Sequence, residues 1–281
     1  MSDHPAFRNS KVRVLVKRED LNHPEVSGNK WWKLKYNIQE AIASNSKGLL
    51  TFGGAYSNHI YATAAAAHAH NLRSVGIIRG EEHLPLNPTL QFATERGMIL
   101  RYIDRQSYRD KESPSLINHL HEEWPQYTFI PEGGTNALAV RGAEEFGKLL
   151  DDIGADYICL PVGTGGTMAG IIRGASRGRT VLGISVLANG NFLKERIAEY
   201  LDGSSQARWE ILTDYSYGGY AKRHAFVTNV INSFQQHGGI PLDFVYTGKL
   251  MSAIVELVAK GYFPEGSTVL AIHTGGLQGH S

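Results

Sequence analysis

Short apolar runs alternate along this chain with longer stretches in which apolar residues recur every three or four positions, a rhythm that predicts strand after helix after strand. Val12 to Val16 interleaves apolar and basic residues like a half-buried strand, and the turn residues Gly28-Asn29 then open a helix predicted from Lys30 to Ser44. Further strands are predicted within 48–54, running into a glycine turn, and at 75–78, 98–103, 128–130, 157–162, 181–187, 210–212 and 268–272. Helices are predicted at 60–70, 88–96, 115–123, 137–151, 192–201, 225–236 and 250–259, with one more opened by 163–170 and running to about 175, and residues 1–11 read as a frayed end. Strands interleaved with helices in this way imply an α/β fold of twisted, mostly parallel sheets flanked by helices.

Composition narrows the function classes. At 281 residues the chain can hold one large domain or two small ones, and its formal charge of +1 offers no concentrated basic face for nucleic acid or an acidic membrane. The lone Cys159, set in the apolar run Tyr157 to Val162, excludes an intramolecular disulfide and a cysteine zinc site and reads as a buried, inert thiol. No apolar stretch is long enough to cross a bilayer, and the polar start Met1-Ser2-Asp3-His4-Pro5 is not a signal peptide, so a cytoplasmic enzyme is the expectation. The twelve histidines do not fall into a metal-ligand spacing; His68 and His70 are two apart on a helix and face different sides. No metal is expected.

Three stretches carry chemistry. Gly163-Thr164-Gly165-Gly166-Thr167 follows a strand and opens a helix, so its backbone amides, its hydroxyls and the helix dipole all suit an anion. No Gly-Lys-Ser/Thr follows, which excludes a Walker loop, while a dinucleotide loop or a merely tight turn would read the same way. Lys30 stands at a helix start with Lys33 and Lys35 close behind, and both the dipole and these ammoniums disfavour its protonated form. In Gly53-Gly54-Ala55-Tyr56-Ser57-Asn58-His59, Ser57 suits a helix cap. Tyr220 and Tyr246 read equally as core packing or as acid/base phenols.

Together, the G-N-K segment at 28–30, the G-G-x-x-S-N-H segment, the G-T-G-G-T loop and the spacing of Tyr220 and Tyr246 resemble the pyridoxal-phosphate enzymes of the 1-aminocyclopropane-1-carboxylate deaminase and D-cysteine desulfhydrase family. The resemblance covers nearly the whole chain and implies PLP fold type II, with a large cofactor-binding domain at 1–35 and 140–281 and a small inserted domain at 36–139. It implies that Lys30 carries pyridoxal 5'-phosphate through an imine, that Gly163, Thr164, Gly165, Gly166 and Thr167 grip the phosphate with Lys33 adding a cation, and that Asn58 bonds the ring hydroxyl. Ser57 would hold the substrate carboxylate, and a tyrosine with a pKa lowered by the cationic cofactor would move protons. Thr247 and Thr274 stand where the deaminase branch has glutamate and leucine, so the chain looks like the desulfhydrase branch, since a neutral partner at the pyridine nitrogen suffices when a thiolate leaves. The implied reaction, of lyase or hydrolase class, is β-elimination from D-cysteine to pyruvate, ammonia and sulfide by a homodimer. A cyclopropane deaminase, an amino-acid racemase and a phosphate-ligand-binding α/β module stay open.

Overall fold

A computed structural model describes residue 1, residues 4–203 and residues 205–278; residues 2 and 3 of the polar start and 279–281 of the expected large domain lie outside it. Two sheets organise the chain. Five strands, β1 (Arg13–Arg18), β6 (Tyr157–Val162), β7 (Thr180–Ser185), β8 (Arg208–Leu212) and β9 (Thr268–His273), line up in the order β1-β9-β6-β7-β8. Four more, β2 (Gly48–Gly53), β3 (Arg73–Arg79), β4 (Met98–Ile103) and β5 (Tyr127–Ile130), form a second sheet in the order β4-β3-β2-β5. Every strand pair among the described residues is parallel.

Parallel strands are linked by helices, so both faces of each sheet are covered and the strands read as continuous apolar runs. In β6 the neighbours Ile158 and Cys159 enter opposite cores. Ile158 packs with α6 (Ala137–Leu150), α7 (Gly166–Gly174) and α8 (Leu193–Leu201); Cys159 packs with α9 (Ala225–Gly238) and α10 (Thr247–Ala259). Burial raises the Cys159 thiol pKa, which leaves it unreactive. The smaller sheet is sandwiched by α1 (Asn29–Ala43), α2 (Asn58–Ala69) and α3 (Pro88–Glu95) with α4 (Arg105–Arg109) and α5 (Pro114–Glu123). The expected domain limits at 35/36 and 139/140 fall inside α1 and α6, which pack so closely that a Cβ on Gly142 would lie 1.9 Å from the Trp32 carbonyl oxygen.

Three local expectations change. The start of the chain is not frayed from His4 onward: His4 stacks on Phe234 of α9 at 4.1 Å between ring centroids, and Phe7 is buried beside it. Two aromatic anchors are enough to hold a segment that has no regular hydrogen bonding. α10 begins three residues before the expected Leu250, because Asp243 accepts the N–H groups of Val245, Tyr246 and Thr247 at 2.7 to 2.9 Å and stabilises an earlier helical start. α4 has no counterpart among the predicted helices; its five residues are too few for a periodicity, and Asp104 caps it through Gln106 and Ser107.

Truncating the N-terminal anchor, Phe7→Ala, is expected to lower the unfolding free energy by about 3 kcal/mol in urea denaturation. A change under about 0.5 kcal/mol in the same titration shows that the segment contributes nothing.

Candidate active site

In open parallel sheets the loops that reach a ligand sit at the carboxyl ends of the strands, where the strand order reverses. Reversal falls at β6/β9 in one sheet and at β2/β5 in the other. Most candidate segments follow a strand's carboxyl end: Lys30 comes after β1, Ser57 and Asn58 after β2, Gly133 to Thr135 after β5, Gly163 to Thr167 after β6, and Thr274 after β9, whereas Tyr246 and Thr247 lie between α9 and α10.

The G-N-K turn is built by close approach. Gly28 caps α1 at φ 67°, and a Cβ there would lie 1.8 Å from the Thr274 carbonyl oxygen. That oxygen accepts the Asn29 N–H at 3.2 Å, and the Asn29 side chain donates to Thr167 Oγ1 at 2.9 Å. Buried Glu19 supports the turn, accepting the Gly28 N–H at its carbonyl and the Trp32 indole N–H at its carboxylate, 2.7 Å away. Lys30 is thereby set beside the glycine loop, half-buried, with one long contact to Asn29 Oδ1 at 3.4 Å and, among the described residues, no ion pair. Burial of the amine pulls its pKa down to about 8. The expected direction holds, but the cause is desolvation rather than the neighbouring lysines, since Lys35 is turned to Glu145 at 2.7 Å.

The loop at 163–167 has the form of an anion cradle. Side chains cap α2, α3, α5 and α6, whereas α7 starts on Gly165 with no side-chain cap, so the N–H groups of Gly166, Thr167 and Met168 have no partner within the helix. Lys33 reaches this loop only through an intermediary. Its fully buried amine donates to the Gly133 carbonyl and to Thr135 Oγ1 at 2.7 Å, and Thr135 in turn bonds Thr164 Oγ1 at 2.6 Å. Burial, then Lys30, holds the Lys33 pKa well below the lysine value, so the protein's own groups oppose the cationic role expected of it from the resemblance.

Ser57 caps α2, accepting from His59 and Ile60 N–H at 3.2 and 3.3 Å, which leaves its own O–H free to donate. Asn58 faces the β9 turn, where a Cβ on Gly276 would lie 2.2 Å from Asn58 Nδ2. Behind them His59 is buried against Thr51 at 2.8 Å. Thr51 spends its single proton on the Ile130 carbonyl, so His59 Nε2 must donate to it, and burial together with Lys30 and Lys33 keeps the ring neutral.

The two tyrosines meet: their ring centroids are 6.0 Å apart, edge to face, and Tyr246 lies against Gly163. Burial first, then the Tyr220 phenol, pushes the Tyr246 pKa well above its ordinary value, so the protein's own groups oppose the lowered phenol pKa expected from the resemblance. Thr247 and Thr274 part company. The Thr247 hydroxyl donates to Asp243 Oδ2 at 2.6 Å and is consumed in the α10 cap, whereas Thr274 Oγ1 makes no hydrogen bond among the described residues. Thr135, Asn29, His59 and Asp243 are contributors that sequence reasoning missed; the G-N-K and S-N-H motifs contained two of them, but only as spacers.

An amine with a depressed pKa beside an uncapped helix start suits a ligand that carries both an aldehyde and a phosphate, and pyridoxal 5'-phosphate is such a ligand. The donor set fits it. Residues 3–275 match the family described as "Pyridoxal-phosphate dependent enzyme", and the chain belongs to that family. A relative in Pyrococcus abyssi named putative 1-aminocyclopropane-1-carboxylate deaminase is 31% identical over 95% of this chain and 86% of its own. The bifunctional D-cysteine desulfhydrase/1-aminocyclopropane-1-carboxylate deaminase of Arabidopsis thaliana, a mitochondrial protein, is 32% identical over 95% of this chain and 73% of its own. A crystal structure of an ACC deaminase homologue superposes with a TM-score of 0.83 at 29% identity, covering 95% of this chain and 85% of the other. Lyase chemistry therefore stands and the hydrolase class is withdrawn, because this cofactor breaks bonds at the substrate's own carbons instead of activating water. No helix among the described residues is long and apolar enough to cross a membrane.

Because the neutral fraction of an amine grows as pH rises through its pKa, labelling of Lys30 by an amine reagent should reach half its maximal rate near pH 8, as read by peptide mapping. A half-point near the ordinary 10.5 contradicts the desolvated setting.

Proposed function

We propose that this enzyme catalyses β-elimination from a small amino acid bearing a good leaving group, with D-cysteine as the type substrate, giving sulfide and an enamine that one water hydrolyses, after release, to pyruvate and ammonia. The reading is carried by the meeting of a Lys30 amine that has no ion pair with a cradle tied to it through the Asn29–Thr167 hydrogen bond. Lys30, Asn58, Thr274 and the cradle at Gly163 to Thr167 would hold pyridoxal 5'-phosphate, which when bound would supply an electron sink for the substrate's α-carbon.

The chain's own groups do the rest. The Ser57 O–H, at the positive end of α2, donates to the substrate carboxylate and fixes its orientation. Lys30 Nζ, neutral in an appreciable fraction near pH 8, takes the proton from the α-carbon. The Tyr220–Tyr246 pair, kept protonated by the raised Tyr246 pKa, donates a proton to the departing sulfur. Thr274, whose hydroxyl is uncommitted among the described residues, would offer a neutral partner to the pyridine nitrogen in place of Thr247. Asp243, the only carboxylate bonded to Thr247 among the described residues, is used up by three backbone N–H groups and that hydroxyl.

Opening of the cyclopropane substrate is the second reading, favoured by the names of the relatives. Against it stands the lack of an available carboxylate beside Thr247. The division into a large unit at 1–35 and 140–281 and a small one at 36–139, the homodimer and the cytoplasmic setting belong to the same proposal. The two sheets support the first, since each draws its strands from one of those parts.

Lys30→Ala should remove the visible absorbance of the bound cofactor and lower turnover by about 10³-fold or more, whereas retention of both excludes Lys30. A panel of small D- and L-amino acids assayed for pyruvate against 2-oxobutanoate decides the substrate. Pyruvate from D-cysteine is expected, and 2-oxobutanoate from the cyclopropane amino acid as the main product overturns the desulfhydrase reading.

A further inference from the structure

Lys249 is fully buried on α10, two residues after Thr247, and no carboxylate among the described residues pairs with it. Burying an ammonium without a counter-ion is costly, so a site that keeps one is expected to use it. Its amine is committed to two backbone carbonyls on separate segments. One is Val186, at 3.4 Å, whose N–H bonds the Val162 carbonyl immediately before the cradle. The other, at short range, is Gly219, the residue before Tyr220.

The segment from Tyr215 to Arg223 is held at its two ends, where the Tyr217 hydroxyl donates to Glu256 Oε1 at 2.8 Å, Tyr215 packs beside Lys260 and Arg223 lies over the Phe244 ring. That leaves Lys249 as the side chain that bonds the backbone between them, next to Tyr220. The segment joins β8 to α9 without regular structure, and Tyr220, Ala221, Lys222 and Arg223 are exposed. Gly219 sits at φ 100° against Ala188, and its carbonyl also accepts the Lys222 N–H at 3.2 Å. Tyr246, by contrast, is anchored by Asp243 at the head of the same helix that carries Lys249. One helix thus fixes one tyrosine through its cap and reaches the other through a lysine three residues on.

We propose that Lys249 is a positioning residue that pins the Tyr220 loop against Tyr246 and the phosphate cradle, so that the two phenols act as a pair. This rests on the elimination reading above for its catalytic consequence, but the tether itself does not. Desolvation brings the Lys249 pKa down to about 8, against an opposing pull from Asp243, and both its protonated and neutral forms keep N–H donors for the two carbonyls.

The test is Lys249→Met, which keeps the stem and removes the donor, in wild-type and Tyr220→Phe backgrounds of the holoenzyme. Trypsin cleavage after Lys222 and Arg223 should accelerate about tenfold while cleavage elsewhere is unchanged, the mark of local rather than global opening. kcat/KM should fall about tenfold or more in the wild-type background and by less than about twofold beside Tyr220→Phe, since coupled residues are non-additive. Unchanged loop cleavage, equal acceleration along the whole chain, or an undiminished loss beside Tyr220→Phe each overturns the proposal. If Lys249→Met does not fold, Lys249→Gln, which retains a shorter N–H donor, should show the same local acceleration to a smaller degree, and none at all overturns it. Should the wild-type chain prove to have no lyase activity, the functional reading fails and the cleavage comparison still decides the tether.

Discussion

The site depends on one steric fact, the absence of a side chain at Gly28. The start of the Lys30 helix lies on the backbone that leaves β9, where a single added carbon would sit 1.8 Å from the Thr274 carbonyl oxygen. That contact joins the first and last strands of the larger sheet, which already pair along Arg13 to Arg18 and Thr268 to His273. It also brings Asn29 within reach of Thr167. The amine, the cradle and Thr274 therefore share one rigid junction, and moving any of them means moving the sheet. His273, buried beside Asp20 at 3.2 Å and bonded to the Pro241 carbonyl at 2.7 Å, holds the same junction from the other side.

A second constraint is electrostatic. Lys30, Lys33 and Lys249 are buried or half-buried lysines that lack carboxylate partners, while lysines of the surface pair ordinarily, as Lys35 does with Glu145 and Lys148 with Glu144. An uncompensated buried amine loses its proton more readily, which is what a nucleophile or base at this place requires. Lys33, whose pKa burial holds well below the lysine value, meets the cradle as a hydrogen-bond donor through Thr135 rather than as a fixed charge. The neutral His59, fixed in one tautomer by Thr51, adds a rigid wall and no further charge.

The glycine motifs, the lysine of G-N-K and the serine of S-N-H were readable because their signals are local: a turn residue, a cap, a strand run and a helical stripe all lie within a few positions of each other. The α/β alternation was readable for the same reason. Pro131-Glu132-Gly133-Gly134 was not, because its use lies in the Gly133 carbonyl that Lys33 finds across the fold and in the Gly134 face that packs on His59. Thr135, Asp243 and Lys249 carried no sequence mark at all.

By itself the sequence determined which segments become strands and helices, which loops are rich in glycine and which amine stands at a helix start, since these follow from backbone propensities and short-range periodicity. Only the tertiary structure decided which hydroxyl stays free, Thr274 rather than Thr247, and how Lys33 reaches the cradle. It also decided why the Lys30 amine holds its proton less tightly, through burial. Those answers depend on partners as far apart in sequence as Asn29 and Thr167, 138 positions from each other, and desolvation and hydrogen-bond competition exist only once such partners have met.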